Sequence, residues 1–368
     1  MTTSFLNRAG HHLLAASLLS LPFALAAQTT SPSQEADWRR ANDAVGALKR
    51  GHADVLKWEQ ANLPPSTPAT ASTGPAVATA EAAVRMAWRV HRELARPLAR
   101  LGAQNEQLIA EGRWTELDPS LQRRVEDAGE VLEVAAAGRK AWIEAVAAQQ
   151  LLKHQHNMLE AAQAAYELGQ RMVTVGNWSK LQLAPVQLAA SNARMNLRRA
   201  QQAAAQAQAS LIKTMGQTGL QDGFVLPDQL PAIPAQPMTA ADLQKRAEAV
   251  RNHLPGAEGL RNRALSKMAM NTYWAAHSLA QDSQGDILKT REFITEETVL
   301  HYNGMLKSVW DLLDEVRNQS QATVDAIGAQ RDFWLAEADL QWVLQGGEPD
   351  SFVSLGGAGG DAPAAAAH

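Results

Sequence analysis

Residues 175–181, with the sequence VGNWSKL, combine a signal that ends one helix with a signal that begins the next. Gly176 is the residue type that ends helices in the left-handed conformation, because it has no Cβ to oppose a positive φ. Ser179 is a typical N-cap, and Gln182 three residues later completes a capping box. The stretch therefore predicts the tight turn of a helical hairpin.

A second stretch with the same signals occurs at residues 302–310, YNGMLKSVW. Here we expect Gly304 to be the left-handed residue, Ser308 the N-cap and Asp311 an approximate capping-box partner. Ser308 lies 129 positions after Ser179. Each serine opens a predicted helix of about 37 or 38 residues, roughly 55 Å long. The pattern predicts an all-α fold with two repeated long antiparallel helical hairpins.

The helix after the first turn carries a coiled-coil period. Small and apolar residues recur at alternating spacings of four and three, which keeps one face of a helix against a partner. The predicted seam consists of Val186, Ala190, Ala193, Leu197, Ala200 and Ala204, continued by Ala207 and Leu211. Since most of these residues are alanine, we expect the partner helix to approach closely. The core of an ordinary helical bundle would show the same stripe.

The composition excludes several classes of protein. Of the 368 residues, 46% are hydrophobic and 20% are charged, which is typical of a globular chain. A net charge of -4 is too balanced to indicate a nucleic-acid surface. The chain has no cysteine, so thiolate metal sites, cysteine catalysis and a lipid-anchoring cysteine are excluded.

The first 27 residues have the pattern of a secretory signal peptide. The apolar run from Leu13 to Leu25 is too short to span a bilayer, and it ends in the small-x-small sequence Ala24-Leu25-Ala26. We therefore expect an exported protein, located in the periplasm or associated peripherally with the outer membrane. A retained membrane anchor is the alternative.

Proline-rich and glycine-rich stretches divide the rest of the chain. We predict an N-terminal helix at 34–63, a Pro/Ser/Thr linker at 64–78, a first helical repeat at 79–216, a Pro-rich linker at 217–239, a second helical repeat at 240–346 and a disordered Gly/Ala tail at 347–368.

No motif for catalysis or for a cofactor is present in the sequence, whether HExxH, GxSxG, GxGxxG, a P-loop or an EF-hand. His154 and His156, with Met158, suggest a metal site. However, positions i and i+2 of a helix point about 200° apart and cannot bind one ion. We predict no enzyme, no catalytic residue, no cofactor and no metal ligand. A metal-binding chaperone is a third hypothesis that rests only on scattered His and Met residues.

The two predicted hairpins resemble the periplasmic hairpins of TolC-type outer-membrane efflux proteins. In the first, the resemblance rests on AYELG at 165–169, VGNWS at 175–179 and a long Ala-rich helix that ends at Gly216. In the second, it rests on residues 302–313 and on QRDFWL at 330–335. It covers roughly residues 81–347. The resemblance implies a homotrimer whose hairpins form a hollow α-helical tunnel, through which substrates pass without chemistry.

The same resemblance implies that the hairpin tips contact a periplasmic adaptor of a tripartite pump. The tip residues that correspond to this contact are Gly176, Asn177, Ser179, Gly304, Met305 and Ser308. The implied partners are adaptor and efflux-pump subunits, or a barrel-bearing outer-membrane relative. No nucleic-acid partner is expected, and the sequence names no substrate.

The chain departs from the family pattern where family members carry strand pairs that cross the outer membrane. Each such strand needs about ten residues that alternate between apolar and polar. The corresponding segments here, at about 108–139 and 255–280, are helical in period. We therefore expect a TolC-like α-barrel or coiled-coil architecture without a recognisable β-barrel. The first function hypothesis is a helical conduit component of an export system. The second is a non-transporting periplasmic scaffold that binds partner proteins.

Overall fold

The computed structural model describes residues 77–216 and 224–355, and helices make up almost all of the regular structure there. These two ranges contain no β-strand, only an isolated bridge residue at Val225. The all-α class and the two long hairpins predicted from the sequence are therefore confirmed. All of the described residues belong to one unit of the chain, which spans 68–368.

Short helices precede the first hairpin. They are α1 (Ala80–Val90), α2 (Ala95–Leu101), α3 (Ala103–Glu111) and α4 (Leu121–Arg124), with 3-10 turns at Arg92–Leu94 and Trp114–Glu116. Their apolar side chains form a buried cluster with the start of the following helix. This cluster includes Trp88, Leu94, Leu101, Ile109, Trp114, Leu117 and Leu121. We call this packed end of the molecule the base.

The first hairpin consists of α5 (Ala128–Thr174) and α6 (Lys180–Thr214). α5 has 47 residues, which corresponds to about 70 Å of helix. α6 has 35 residues and begins with the predicted capping box between Ser179 and Gln182. In that box each side chain accepts a hydrogen bond from the backbone N–H of the other residue.

The second hairpin follows a short helix, α7 (Ala240–Arg251). Its first arm is α8 (Gly256–Gln281), a π-helical segment (Asp282–Leu288) and α9 (Lys289–Asn303), and its second arm is α10 (Val309–Val343). α10 has 35 residues and begins with a complete capping box between Ser308 and Asp311. The returning arms of the two hairpins are therefore equal in length.

The two outgoing arms differ in length by one residue. From Gly256 to Asn303 the arm has 48 residues, against the 47 of α5. A π-helical turn takes up an additional residue without interrupting the helix. The second arm contains such a segment at Asp282–Leu288, and both arms end in the same turn.

The long arms pack side by side in the order α6, α5, α10, α9, with α8 continuing the α9 arm toward the base. α5 packs against both α6 and α10, and α10 packs against α5 on one side and against α8 and α9 on the other. We call this arrangement the four-helix layer. Its two edges are formed by α6 and α9, each of which has a neighbour on one side.

Residues 224–239 of the predicted proline-rich linker are described and contain no helix. They pack against the second hairpin through backbone carbonyl groups. The carbonyl of Pro231 accepts hydrogen bonds from Gln330 Nε2 (2.8 Å) and Trp334 Nε1 (2.9 Å), and Leu226 and Leu230 are buried. The linker therefore fastens the two halves of the chain at the level of the base.

The other predicted segments are described in part or not at all. The predicted signal peptide (1–27) and N-terminal helix (34–63) lie outside the described residues, as does the linker at 64–78 except for its last two positions. The predicted tail (347–368) is described as far as 355, and there Phe352 and Val353 pack against an apolar cluster of the second hairpin.

Candidate docking surfaces at the hairpin tips and the layer edges

The two hairpin turns have the same backbone hydrogen bonds. In the first turn, the N–H groups of Gly176 and Asn177 donate to the carbonyls of Val173 (3.0 Å) and Met172 (2.9 Å). The second turn repeats both bonds 129 positions later, from Met305 to Tyr302 (3.0 Å) and from Leu306 to His301 (2.8 Å). This pair of bonds is the Schellman motif, which satisfies the last carbonyl groups of a helix.

The left-handed residue of the second turn is Met305 and not Gly304, which corrects the sequence prediction. Met305 has a φ of 58°, whereas Gly304 has a φ of -79° and is the C-cap. Gly176 does have the predicted positive φ, at 81°. The reason lies in the register, because the offset of 129 that relates the two capping serines also pairs Gly176 with Met305. A side chain in this conformation costs about 1 kcal/mol.

Both turns expose apolar side chains at the end of the layer. Met305 is 94% exposed, Leu181 is 82% exposed and Leu306 is 77% exposed. The residues predicted to contact an adaptor are all exposed, namely Gly176, Asn177, Ser179, Gly304, Met305 and Ser308. We call the two turns the tips. Adjoining apolar side chains that are open to solvent make the tips a candidate surface for protein binding.

An aromatic contact holds the two tips side by side. Trp178 of the first turn stacks on Trp310 of α10, with ring centroids 4.8 Å apart and ring planes inclined by 26°. Such pairs contribute about 0.5–1.5 kcal/mol beyond the area they bury. The tips of the two hairpins therefore present one combined end to a partner.

The predicted seam of α6 lies against α5. Val186, Ala190, Leu197, Ala200 and Ala204 are buried, and Ala193 is half-buried. Most of the other residues of α6 are exposed. A helix of 35 residues is thus covered along one narrow stripe, and its outer face is open.

The open face of α6 carries apolar residues among positive charges. Leu181, Leu188 and Met195 recur every seven residues and are exposed. The charged residues of α6 are all basic, and no Asp or Glu occurs between Lys180 and Thr214. They are Lys180, Arg194, Arg198, Arg199 and Lys213. We call the face with Leu188, Met195, Arg194 and Arg198 the α6 edge.

The open face of α9 carries apolar residues among charges that are mostly negative, with the exposed Lys289 one turn before Phe293. Phe293 and Leu300 are also seven residues apart, and both are exposed. Glu292 and Glu296 lie beside them and are exposed as well. Arg291 turns toward α10 and pairs with Glu315 (3.2 Å). We call the face with Glu292, Phe293, Glu296 and Leu300 the α9 edge.

Buried ion pairs join the hairpins near the base, and no sequence pattern predicts them. Arg139 of α5 pairs with Glu337 of α10 (2.9 Å), and Lys140 pairs with Asp339 (2.7 Å). The Asp339 side chain is 2% exposed, and this burial raises its pKa, although Lys140 partly opposes the shift. Removing one partner of such a pair leaves a buried charge uncompensated, so these pairs fix the two hairpins relative to each other.

The two histidines that suggested a metal site do not converge. Nε2 of His154 lies 3.0 Å from the hydroxyl of Ser320 on α10, and burial lowers the pKa of His154. His156 is exposed. Among the described residues, no group of three or more His, Asp or Glu side chains is placed to hold a metal ion. Within the same ranges no helix is both long enough and apolar enough to cross a membrane.

Comparisons with known proteins give distant structural similarities. No protein-family model matches the chain, and no curated protein matches it in sequence. Among solved structures, the chain is similar to the CmeC outer membrane channel of Campylobacter jejuni, with a TM-score of 0.47 and 10% identity over 65% of this chain and 66% of that one. The chain thus covers slightly less than two thirds of the length of CmeC.

Two further structures are similar to a comparable degree. For CusC, studied in the folding and formation of a transmembrane channel, the TM-score is 0.47 with 14% identity over 73% of this chain and 91% of that one. For a membrane protein from Pseudomonas aeruginosa, the TM-score is 0.41 with 14% identity over 65% and 74% of the two chains. At these identities and TM-scores the similarity does not assign an activity or a partner.

Proposed function

We propose that the chain forms one section of the wall of a helical conduit in the cell envelope, like the TolC-type efflux proteins that its sequence resembles. The observation that carries this proposal is the four-helix layer with two unlike open edges. A layer with unlike edges associates side to side with further copies of itself. Such head-to-tail association closes into a ring when the rotation between copies permits it.

The two edges are complementary in chemistry. The α6 edge offers Leu188 and Met195 with the cations Arg194 and Arg198, and the α9 edge offers Phe293 and Leu300 with Glu292 and Glu296. Both sets follow a spacing of seven residues, which is the spacing of helices that pack along their length. Opposite charges beside an apolar seam set which helix pairs with which. The α6 edge of one copy therefore fits the α9 edge of the next.

The tips form the partner-binding end of the proposed conduit. In a ring of layers, the apolar side chains of Leu181, Met305 and Leu306 come together at one rim. That rim is where we place the contact with a periplasmic adaptor, and through it with pump subunits.

A charge-reversal experiment tests the edge pairing. We expect the wild-type protein to have the mass of an oligomer by light scattering at micromolar concentration. R194E/R198E and E292R/E296R each bring like charges together and should give monomers. The four substitutions in one chain restore opposite charges and should restore the oligomer. R123E/K245E changes exposed cations away from both edges and serves as the control.

The outcome separates the two function hypotheses. A wild-type protein that is monomeric at every concentration would overturn the conduit. It would favour the second candidate, a non-transporting scaffold whose exposed apolar tips bind a partner protein. An oligomer that survives both single-edge reversals would show that copies associate through another face, and the edge pairing would be wrong.

A further inference from the structure

Arginine residues form an exposed stripe on the outside of the base. Arg92, Arg96 and Arg100 lie at spacings of four along the 3-10 turn and α2, Arg89 lies at the end of α1 just before the break at His91, and all four are exposed. Leu94, Pro97 and Leu101 of the same segment are buried. The segment is thus amphipathic, with its apolar face on the base and its basic face outward. We call these four residues the arginine stripe.

The stripe keeps most of its positive charge. From 82 to 105 the sequence contains five arginines and a single acidic residue, Glu93, which binds His91 (2.7 Å). Arg100 pairs with Glu126 (2.8 Å). Within the described residues, Arg89, Arg92 and Arg96 form no ion pair. A surface of this sign is unusual in a chain whose net charge is -4.

The stripe lies at the opposite end of the molecule from the tips. α2 packs against the beginning of α5 and against α3, and α5 then runs for 47 residues to the first tip. The separation is about 70 Å along the helix. A ligand of the stripe therefore does not compete with a partner at the tips.

We propose that the arginine stripe binds the phosphate groups of an anionic membrane surface. A guanidinium group presents a planar fork of donors that fits a phosphate, and it is always charged. A line of arginines suits an extended array of phosphates better than a single small anion. The predicted export from the cytoplasm favours lipid headgroups over nucleic acids as the phosphate array that the stripe binds.

The stripe then holds the base of the molecule at the membrane surface, about 70 Å along α5 from the first tip. This contact is independent of the oligomeric state, so it holds for a conduit and for a monomeric scaffold alike. Because the contact is electrostatic, binding weakens as the salt concentration rises.

Vesicle sedimentation tests this inference. The protein used is the chain without its predicted signal peptide, residues 1–27. We expect binding to vesicles of phosphatidylcholine and phosphatidylglycerol in a ratio of 7:3, and much weaker binding to pure phosphatidylcholine. Each basic residue near such a surface strengthens binding about fivefold. R89Q/R92Q/R96Q should therefore weaken it on the order of 100-fold, whereas R89K/R92K/R96K keeps the charge and should retain most of it. R171Q/K180Q/K307Q removes the same charge from exposed positions near the tips and should have little effect.

Several results would overturn the inference. Wild-type protein that ignores anionic vesicles would do so, as would equal losses in the stripe variant and in the control variant, which would indicate a diffuse charge effect. Inorganic phosphate that displaces the protein more strongly than sodium chloride at matched ionic strength would indicate a discrete phosphate site and not a membrane surface. If R89Q/R92Q/R96Q does not fold, by circular dichroism, R92Q/R96Q tests the same point with an expected loss of about 25-fold.

Discussion

The two hairpins have returning arms of 35 residues and the same turn, yet their interiors are filled differently. In the first hairpin Ala204 is buried on the seam of α6. The residue 129 positions later is Phe333, which is fully buried on α10. Its ring lies 5.6 Å from that of Tyr273 and 5.0 Å from that of Trp334. Arm length and turn chemistry thus specify a hairpin, and the residues between the arms decide how tightly each one is held.

The difference has an energetic consequence. The first hairpin depends on close approach of α5 and α6 along a stripe of alanines, whereas the second is anchored by aromatic side chains near the base. A buried aromatic side chain contributes more than a buried methyl group, because it buries more apolar surface. We therefore expect the second hairpin to contribute more than the first to the stability of the whole layer.

The largest effect is expected from Phe333→Ala. Removing this fully buried ring leaves a cavity in the aromatic cluster, and such substitutions cost about 3–5 kcal/mol. Chemical denaturation measures the loss in the free energy of unfolding. Leu260→Ala, at a position of α8 that is exposed and outside both edges, is the control and should change it by less than about 0.5 kcal/mol. Similar losses in the two variants would mean that the aromatic cluster does not anchor the second hairpin.

Ala204→Glu tests the alanine seam of the first hairpin. The carboxylate would lie between α5 and α6 without a partner, at a cost of about 2–3 kcal/mol in the free energy of unfolding. The charge can partly reach solvent at the side of a hairpin two helices wide, so the effect should be smaller than that of Phe333→Ala. Ala203→Glu places the same charge on the exposed face one position earlier. Equal melting temperatures for these two glutamate variants would show that the seam is solvated.

The parts of the fold that were predictable from sequence are those with local signals. The capping serines Ser179 and Ser308 are each followed three residues later by their hydrogen-bond partner. The seam of α6 follows one continuous heptad pattern. Both kinds of signal relate residues that lie within one or two helical turns of each other. They can therefore be recognised in a single sequence. They were sufficient to predict the hairpins and the all-α class.

The parts that escaped prediction depend on residues far apart in the chain. Arg139 and Glu337 form an ion pair although they lie 198 positions apart in the sequence. No local sequence pattern predicts this pair. At the second turn, Gly304 is the residue type that favours the left-handed conformation, but the offset of 129 from Gly176 falls on Met305.

The corrected register gives a sharper test of the turns. Gly176→Ala should lower the free energy of unfolding by about 1 kcal/mol, because alanine resists the φ of 81° at that position. Gly304→Ala should cost nothing, since its φ is negative and an added Cβ would meet the nearest atom at an ordinary 3.5 Å. Thermal melting of the two variants makes the comparison. A greater loss from Gly304→Ala than from Gly176→Ala would reverse the assignment of the left-handed residue.

The smallest expected effect concerns pH and the junction between the hairpins. His154 of α5 lies 3.0 Å from Ser320 of α10, and burial lowers its pKa below the usual 6.5. The unfolded chain therefore takes up a proton at a pH where the folded protein resists it. Stability is complete above pH 6.5 and declines as the pH falls from there toward the pKa of the folded state.

We expect the denaturation midpoint of the wild-type protein to fall between pH 7.5 and pH 5.5, and to fall less in His154→Gln, which cannot titrate in this window. Other groups titrate in the same range, so the difference between the two proteins is the relevant quantity. His156→Gln, at an exposed histidine two residues away, should behave like the wild type. If the wild type and His154→Gln lose the same stability over this range, then His154 is solvated. The two hairpins would in that case be joined at the base and at the tips but not at this level between them.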